Sequence, residues 1–255
     1  MRVVAVIAAA GSGTRLGAPG PKALVDLAGE PLIVHAVRAM RDSEVVDAVV
    51  VTAPHQQVPD FVSVLRGHGM LGGLAMPVSV VPGGVTRQAS VRAGLDAAGS
   101  SDFVLIHDAA RPLTPASLIR RVVAALQAGH RAVVPALPVT DTIKRVGARA
   151  KDGTEPIAGT LDRTALRAMQ TPQGFALDAI RHAHHVFAAS GQEETTAAPD
   201  DAYLAEAAGI DVVVVPGDQR ALKITRPFDL LLAEFLANQD AADGAADVFG
   251  LGERS

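Results

Sequence analysis

Val3-Val-Ala-Val-Ile-Ala-Ala-Ala10 runs directly into Gly11-Ser-Gly-Thr-Arg15-Leu-Gly17, and Pro21-Lys22 follows. The unbroken apolar run reads as a strand buried on both faces, as in a parallel sheet. The glycines after it let the backbone bend sharply and come within hydrogen-bonding distance of a ligand. Successive N–H groups in such a turn form an anion-binding concavity, and Arg15 and Lys22 add charge-assisted bonds suited to phosphate oxygens. A strand that opens into this loop predicts an α/β protein that receives a polyanion, in particular a nucleotide. A basic surface turn without a ligand is the plainer alternative. The loop is not a dinucleotide fingerprint: Leu16 stands where the third glycine belongs, and Ala18-Pro-Gly-Pro21 forbids the helix that should begin there. It is not a P-loop either, because Lys22 sits between Pro21 and Ala23.

Working outward, Val- and Ile-rich runs alternate with alanine-rich stretches of helical period. Strands are predicted at Val3–Ala9, Val45–Thr52, Val78–Val81, Phe103–His107, Ala132–Pro135 and Asp211–Val215. Helices are predicted at Leu32–Arg41, Gln56–His68, Arg87–Ala98, Pro115–Ala128, Leu177–Ala189, Asp201–Ala208 and Phe228–Asn238. The alternation implies a three-layer α/β/α fold around a mostly parallel sheet, with ligands bound beyond the carboxyl ends of the strands. One segment breaks the rhythm. From Pro138 to Thr160 the chain has no helical period, and Thr142–Val146 and Pro156–Leu161 read as a hairpin joined by a glycine-containing turn. An isolated hairpin is marginal in water and needs a surface to pack on, either another subunit or its own domain. Residues 1–238 are expected to form one domain with 138–160 as an arm, and Gln239–Ser255, rich in Ala, Asp and Gly, a loose tail.

Composition narrows the function. The 255 residues carry a net charge of −4, no Cys, no Trp and one Tyr. That balance argues against general nucleic-acid or anionic-membrane binding and leaves no stacking platform for single strands. Without cysteine there are no disulfides, thiolate metal sites or cysteine nucleophiles. No apolar run has the length of a membrane span or the layout of a signal peptide, so a cytoplasmic protein is expected.

Six further motifs sit at predicted strand ends or loops. Gly83-Gly84-Val-Thr-Arg87-Gln-Ala-Ser90-Val91 opens a helix; its glycines would admit a planar base, with Ser90 or the backbone reading the base edge and Thr86 capping the helix. In His107-Asp108-Ala-Ala-Arg111-Pro112, Asp108 and Arg111 would hold a metal-bound phosphate and a second anionic substrate, or else form a simple ion pair ordering the turn. Thr140-Asp141-Thr142-Ile-Lys144, Asp162-Arg163, Thr171-Pro172-Gln173 and Leu222-Lys223-Ile-Thr225-Arg226 supply phosphate donors with few carboxylates to act as bases. That balance suits phosphoryl or nucleotidyl transfer, in which positioning and charge neutralisation do most of the catalysis. His182, His184 and His185 lack a matching carboxylate motif for a metal site, and Asp200-Asp201 reads as a helix cap.

These motifs in this order resemble the 2-C-methyl-D-erythritol 4-phosphate cytidylyltransferase family of the non-mevalonate isoprenoid pathway, over Val3 to about Leu236. The resemblance implies a Rossmann-like nucleotidyltransferase sheet with a projecting β-hairpin dimerisation arm, and a homodimer. It implies transfer from CTP to methylerythritol phosphate, with Mg2+ carried mainly by the CTP phosphates and Asp108 near it. By motif, Arg15 and Lys22 would stabilise the transition state, while Arg163 and Lys223 would position the attacking phosphate. Ala9, Ala10, Gly11, Gly13, Gly84, Val85, Ser90, Asp108 and Ala109 would surround CTP. Arg111, Thr142, Thr171 and Thr225 would belong to the acceptor phosphate, with Arg163 reaching across the dimer. Two departures stand out: Ala23 replaces a frequent glutamine, and Val85 stands where an acidic residue can occur. Three rival readings stand beside it: transfer to another polyol phosphate such as ribitol 5-phosphate, a sugar-1-phosphate uridylyl- or thymidylyltransferase, which shares only the first motif, and a silent nucleotide-binding regulator.

Overall fold

A computed structural model describes residues 1–248, apart from 12, 14–15, 18–19, 73–75, 190, 192 and 194–195. In chain order, β1 (Val3–Ala8) leads through the glycine loop to the small pair β2 (Asp26–Leu27) and β3 (Glu30–Pro31). Then come α1 (Leu32–Asp42), β4 (Ala48–Ala53), α2 (Val58–Gly67), β5 (Val78–Pro82), α3 (Arg87–Ala97) and β6 (Phe103–Asp108). The middle of the chain holds α4 (Ala116–Gln127), β7 (Ala132–Pro138), β8 (Lys144–Val146), β9 (Ile157–Thr160), β10 (Arg167–Met169) and β11 (Gln173–Ala176). The last elements are α5 (Leu177–Val186), α6 (Asp201–Ala207), β12 (Val212–Pro216) and α7 (Pro227–Val248).

The main sheet is mostly parallel. β1 lies between β4 and β6 and β5 flanks β4, all four parallel; β12 runs parallel to β7. β11 is antiparallel to both β6 and β7, and β10 is antiparallel to β7. These two short strands were not expected from the sequence. Gln-Gly-Phe-Ala and Arg-Ala-Met carry no alternation long enough to register as strand, and pairing with longer neighbours decides them.

β1 shows why its run is apolar on both faces. Val3, Ala5 and Ile7 pack with α1, α2 and α4, while Val4 and Val6 pack with α3, α5 and α6. Each fully buried Val or Ile side chain contributes about 1.5–3 kcal/mol through loss of apolar surface to water, so this strand anchors both halves of the three-layer fold. Its register sets Ala8 beside Thr52 on one neighbour and Asp108 on the other. The loops leaving β1 and β6 therefore emerge side by side, together with the loop leaving β5, which continues from the Ala53–Pro82 pair.

The hairpin is present and shorter than expected. Among the described residues β8 and β9 pair only with each other, and every residue in both strands is exposed. One correction concerns the C-terminus. The helix expected to stop at Asn238, with a loose tail from Gln239, instead continues to Val248. Ala-Asn-Gln-Asp-Ala-Ala-Asp-Gly-Ala-Ala is rich in alanine, the strongest helix former, which carries the helix past its lone glycine. The remaining tail positions, 249–255, lie outside the described residues.

Candidate active site

At the carboxyl edge of β1, β5 and β6 lies a cleft of about 380 Å3. The first-loop backbone folds back on itself: Lys22 N–H donates to the Gly11 carbonyl at 3.1 Å. That bond returns Lys22 to the mouth of the glycine turn, close to where Ala9 leaves the strand. Gly13 makes the return possible, since its φ is +74° and a Cβ there would lie 3.1 Å from the Gly20 carbonyl and 3.2 Å from Lys22 Cα. Arg15 lies outside the described residues.

The opposite wall is the start of α3. Thr86 caps the helix, accepting from Ala89 N–H at 3.0 Å. Ser90 is buried, and its hydroxyl accepts from Gly84 N–H at 3.1 Å and lies 2.8 Å from the Thr86 carbonyl. Ser90 thus braces the loop that leaves β5. Gly84 passes so close to the helix that a Cβ would fall 2.4 Å from Ala89 Cβ. Val85 is 83% exposed, so what this position offers the cleft is its backbone.

The floor is ionic. Asp108, at the end of β6, meets Arg87 Nε at 3.0 Å through Oδ1 and Lys223 Nζ at 2.7 Å through Oδ2. Burial opposes its ionisation, yet Arg87 and Lys223 outweigh that and hold the carboxyl well below its usual range. Arg87 also donates from Nη1 to Asp201 at 2.8 Å, and Asp201 accepts from His184 Nε2 at 2.9 Å. Burial works against the Arg87 charge as well, but Asp201 and Asp108 raise its pKa above the ordinary arginine value.

Beneath this floor His107 sets a chain of bonds. Its Nε2 faces the Arg111 carbonyl at 3.3 Å, which can only accept, so Nε2 carries the proton and Nδ1 accepts from Thr171 Oγ1 at 3.0 Å. Thr171 Oγ1 in turn accepts from Asp108 N–H at 3.1 Å. Arg111 does not pair directly with Asp108. Its Nη1 donates to the Ala221 carbonyl at 2.6 Å and its Nη2 to the Met169 carbonyl at 3.2 Å, and its Nε is buried with no partner. Together with Ile224 N–H on the Ala110 carbonyl at 2.8 Å, this anchors the segment that carries Lys223 and Thr225 into the cleft.

The structure therefore gathers Ala9, Ala10, Gly11, Gly13, Lys22, Gly84, Val85, Ser90, Asp108, Ala109, Lys223 and Thr225 around one cleft. Thr171 and Arg111 support it from below. Thr142 and Arg163 lie apart, exposed at the base of the hairpin, where Arg163 donates to the Thr140 carbonyl. Arg87 and Asp201 are the residues that sequence reading missed. Asp200 does cap α6, accepting from Tyr203 N–H at 2.9 Å, whereas Asp201 turns inward to the arginine. An arginine in the first turn of a helix, where the positive end of the dipole disfavours it, was the available signal. His182 and His185 are both outside the core cluster on α5, and His184 is committed to Asp201.

Among the described residues that line the cleft, Asp108 is the one carboxylate, and no group of three or more metal-binding side chains converges anywhere in them. No helix among them is long and apolar enough to cross a membrane.

A mostly parallel sheet whose carboxyl edge presents a glycine loop and a cleft lined by two lysines, one of them paired with an aspartate, defines an α/β nucleotidyltransferase. Comparison with known proteins narrows the class. Residues 3–239 match the family described as IspD, 2-C-methyl-D-erythritol 4-phosphate cytidylyltransferase. The enzyme of that name from Streptomyces avermitilis is 47% identical over 250 residues, covering 95% of each chain. That from Saccharopolyspora erythraea is 48% identical over 238 residues, covering 92% of this chain and 98% of its own. The crystal structure from Thermus thermophilus is 37% identical, with a TM-score of 0.72 over 93% of this chain and all of that one. The chain belongs to the 2-C-methyl-D-erythritol 4-phosphate cytidylyltransferase family.

Proposed function

We propose that the chain transfers a cytidylyl group from CTP to 2-C-methyl-D-erythritol 4-phosphate, giving 4-diphosphocytidyl-2-C-methyl-D-erythritol and pyrophosphate. The carrying observation is that Lys22, on the glycine loop, lines one cleft with Gly84, Ser90 and the paired Lys223 and Asp108. An acceptor-phosphate oxygen forms a new bond to the α-phosphorus of CTP, and the bond from that phosphorus to the bridging oxygen breaks. Pyrophosphate departs with the electron pair. The nucleophile is already an anion, so no general base is needed, which suits a cleft whose one described carboxylate is held ionised between cations.

Ala9, Ala10, Gly11, Gly13, Gly84, Val85 and Ala109 hold the nucleotide, largely through backbone groups, with Ser90 bracing the slot and Asp108 on the ribose side. Arg15 and Lys22 neutralise charge that builds on the phosphates during transfer. Lys223 and Arg163 align the attacking phosphate, with Arg111, Thr142, Thr171 and Thr225 on the acceptor side. Magnesium fits this donor set only as a passenger of the triphosphate, because it keeps several waters and takes one or two carboxylates at most. When bound it supplies charge screening to the phosphates.

Residues 1–238 act as one catalytic domain, and the hairpin is an arm that seats on a second subunit. The exposure of all of β8 and β9 supports that reading, since a bare two-stranded sheet is marginal in water. The working form is a cytoplasmic homodimer.

Pyrophosphate release, measured across CTP and UTP and across methylerythritol phosphate and ribitol 5-phosphate, tests the assignment. CTP with methylerythritol phosphate should dominate, because a mismatched base edge leaves buried polar groups unpaired. Comparable kcat/KM for CTP and UTP would refute the base assignment, and preference for ribitol phosphate the acceptor.

A further inference from the structure

Lys223, Asp108, Arg87, Asp201 and His184 form one continuous ionic chain, with successive contacts of 2.7, 3.0, 2.8 and 2.9 Å. It begins at the cleft with a lysine side chain 42% exposed and ends on Asp201 and His184, which are 1% and 3% exposed. Arg87 is the only link between the two carboxylates seen among the described residues, and it uses different guanidinium nitrogens for each. Its position is locally unfavourable twice over. It places a cation at the positive end of α3, and it keeps charges largely out of water, where a well-packed apolar cluster would be at least as stable. Local rules broken in this way concentrate at functional sites.

We propose that Arg87, braced by Asp201, is a positioning residue for the transfer step, holding Asp108 in one orientation while Lys223 exchanges that carboxylate for the incoming phosphate. This rests on the reading of the cleft given above. With Oδ1 pinned by Arg87, only Oδ2 can receive or release Lys223, so the ammonium leaves along one direction and arrives where the acceptor phosphate must lie. Without the pin, the carboxylate rotates and follows the lysine. The bridge needs a planar fork: a guanidinium can serve two carboxylates at once, whereas an ammonium on a flexible stem offers a single point charge. Asp201 supplies the second anchor, and as the first residue of a helix capped by Asp200 it is itself fixed.

The test is Arg87→Lys and Asp201→Asn, singly and together, in the full-length protein. Thermal unfolding, CTP affinity by calorimetry, and kcat with saturating CTP and methylerythritol phosphate are compared with wild type. Misplacement by a fraction of an ångström weakens transfer more than ground-state binding, so kcat should fall at least about tenfold in each single variant while CTP affinity stays within about threefold. The double variant should be no worse than the poorer single one, because both changes release the same pin. Folded variants with kcat near the wild-type value would overturn the proposal, as would a uniform loss of CTP binding at unchanged kcat. Loss of the fold in both single variants would show the chain to be a folding element and overturn it equally. Wild-type protein that fails to turn over these substrates would instead refute the functional reading.

Discussion

Lys223 Nζ lies 2.7 Å from Asp108 Oδ2, so the lysine proposed for the acceptor phosphate is paired with a carboxylate at the floor of the cleft. In the proposed reaction the incoming phosphate takes the place of this carboxylate beside the lysine. Because Lys223 is nearly half exposed, its contact is worth less than about 1 kcal/mol to stability. Lys223→Ala should therefore leave thermal unfolding almost unchanged and lower kcat/KM by about a hundredfold or more, through lost alignment and charge neutralisation. Steady-state kinetics beside a melting curve would decide it; a large drop in melting temperature with modest kinetic loss would reverse the assignment.

Lys22 is returned to the glycine turn by its backbone bond to Gly11. Charge accumulates on the phosphates as the bond to the leaving group lengthens, so its contribution should appear mainly in the transition state. Lys22→Ala is expected to reduce kcat by about three orders of magnitude with CTP affinity within about tenfold of wild type. Calorimetry showing CTP binding abolished, with kcat intact at saturation, would contradict this.

Burial pushes the His107 imidazole down to about 4, against an ordinary 6.5. The unfolded chain therefore takes up a proton between these values and the folded chain does not. Stability from this residue is complete above about pH 6.5 and is lost as pH falls toward about 4, by about 3 kcal/mol over the full window. Urea midpoints should drop between about pH 7 and about pH 5, and His107→Gln should flatten that drop. An unaltered slope in the variant would mean that other groups carry the acid sensitivity.

Arg163 sits exposed at the root of the hairpin rather than in the cleft of its own chain. If the arm seats on a second subunit, this guanidinium serves the neighbour's acceptor phosphate. Mixing inactive Lys22→Ala with inactive Arg163→Ala should then generate heterodimers with one intact site and recover part of the activity. Subunit exchange is verified by tagged pull-down. Exchange without rescue would place Arg163 in its own chain's site, and a monomer by sedimentation would remove the dimer.

Much of the architecture was legible in the chain before folding. The apolar run Val3–Ala8, the glycine turn and the alternation of Val-rich and Ala-rich stretches announce a buried, mostly parallel sheet with a glycine loop at its carboxyl edge, because those signals are local: each depends on residues within one or two turns of chain. The capping roles of Thr86 and Asp200 were legible for the same reason. The length of α7 was not, since alanine-rich polar sequence reads equally as tail or helix.

What only the tertiary structure decided is who meets whom across long separations. Asp108 and Arg111 are near neighbours that suggest an ion pair, yet Asp108 binds Arg87 and Lys223 while Arg111 reaches the carbonyls of Met169 and Ala221. Asp201 looks like a second capping residue and is instead the buried counter-ion of Arg87. β10 and β11 are strands because β6 and β7 offer them edges. Sequence determines the local conformational preferences and the chemistry available at each strand end. Which charges neutralise one another depends on distances set by sheet register and helix packing, and those exist only once the whole core has closed.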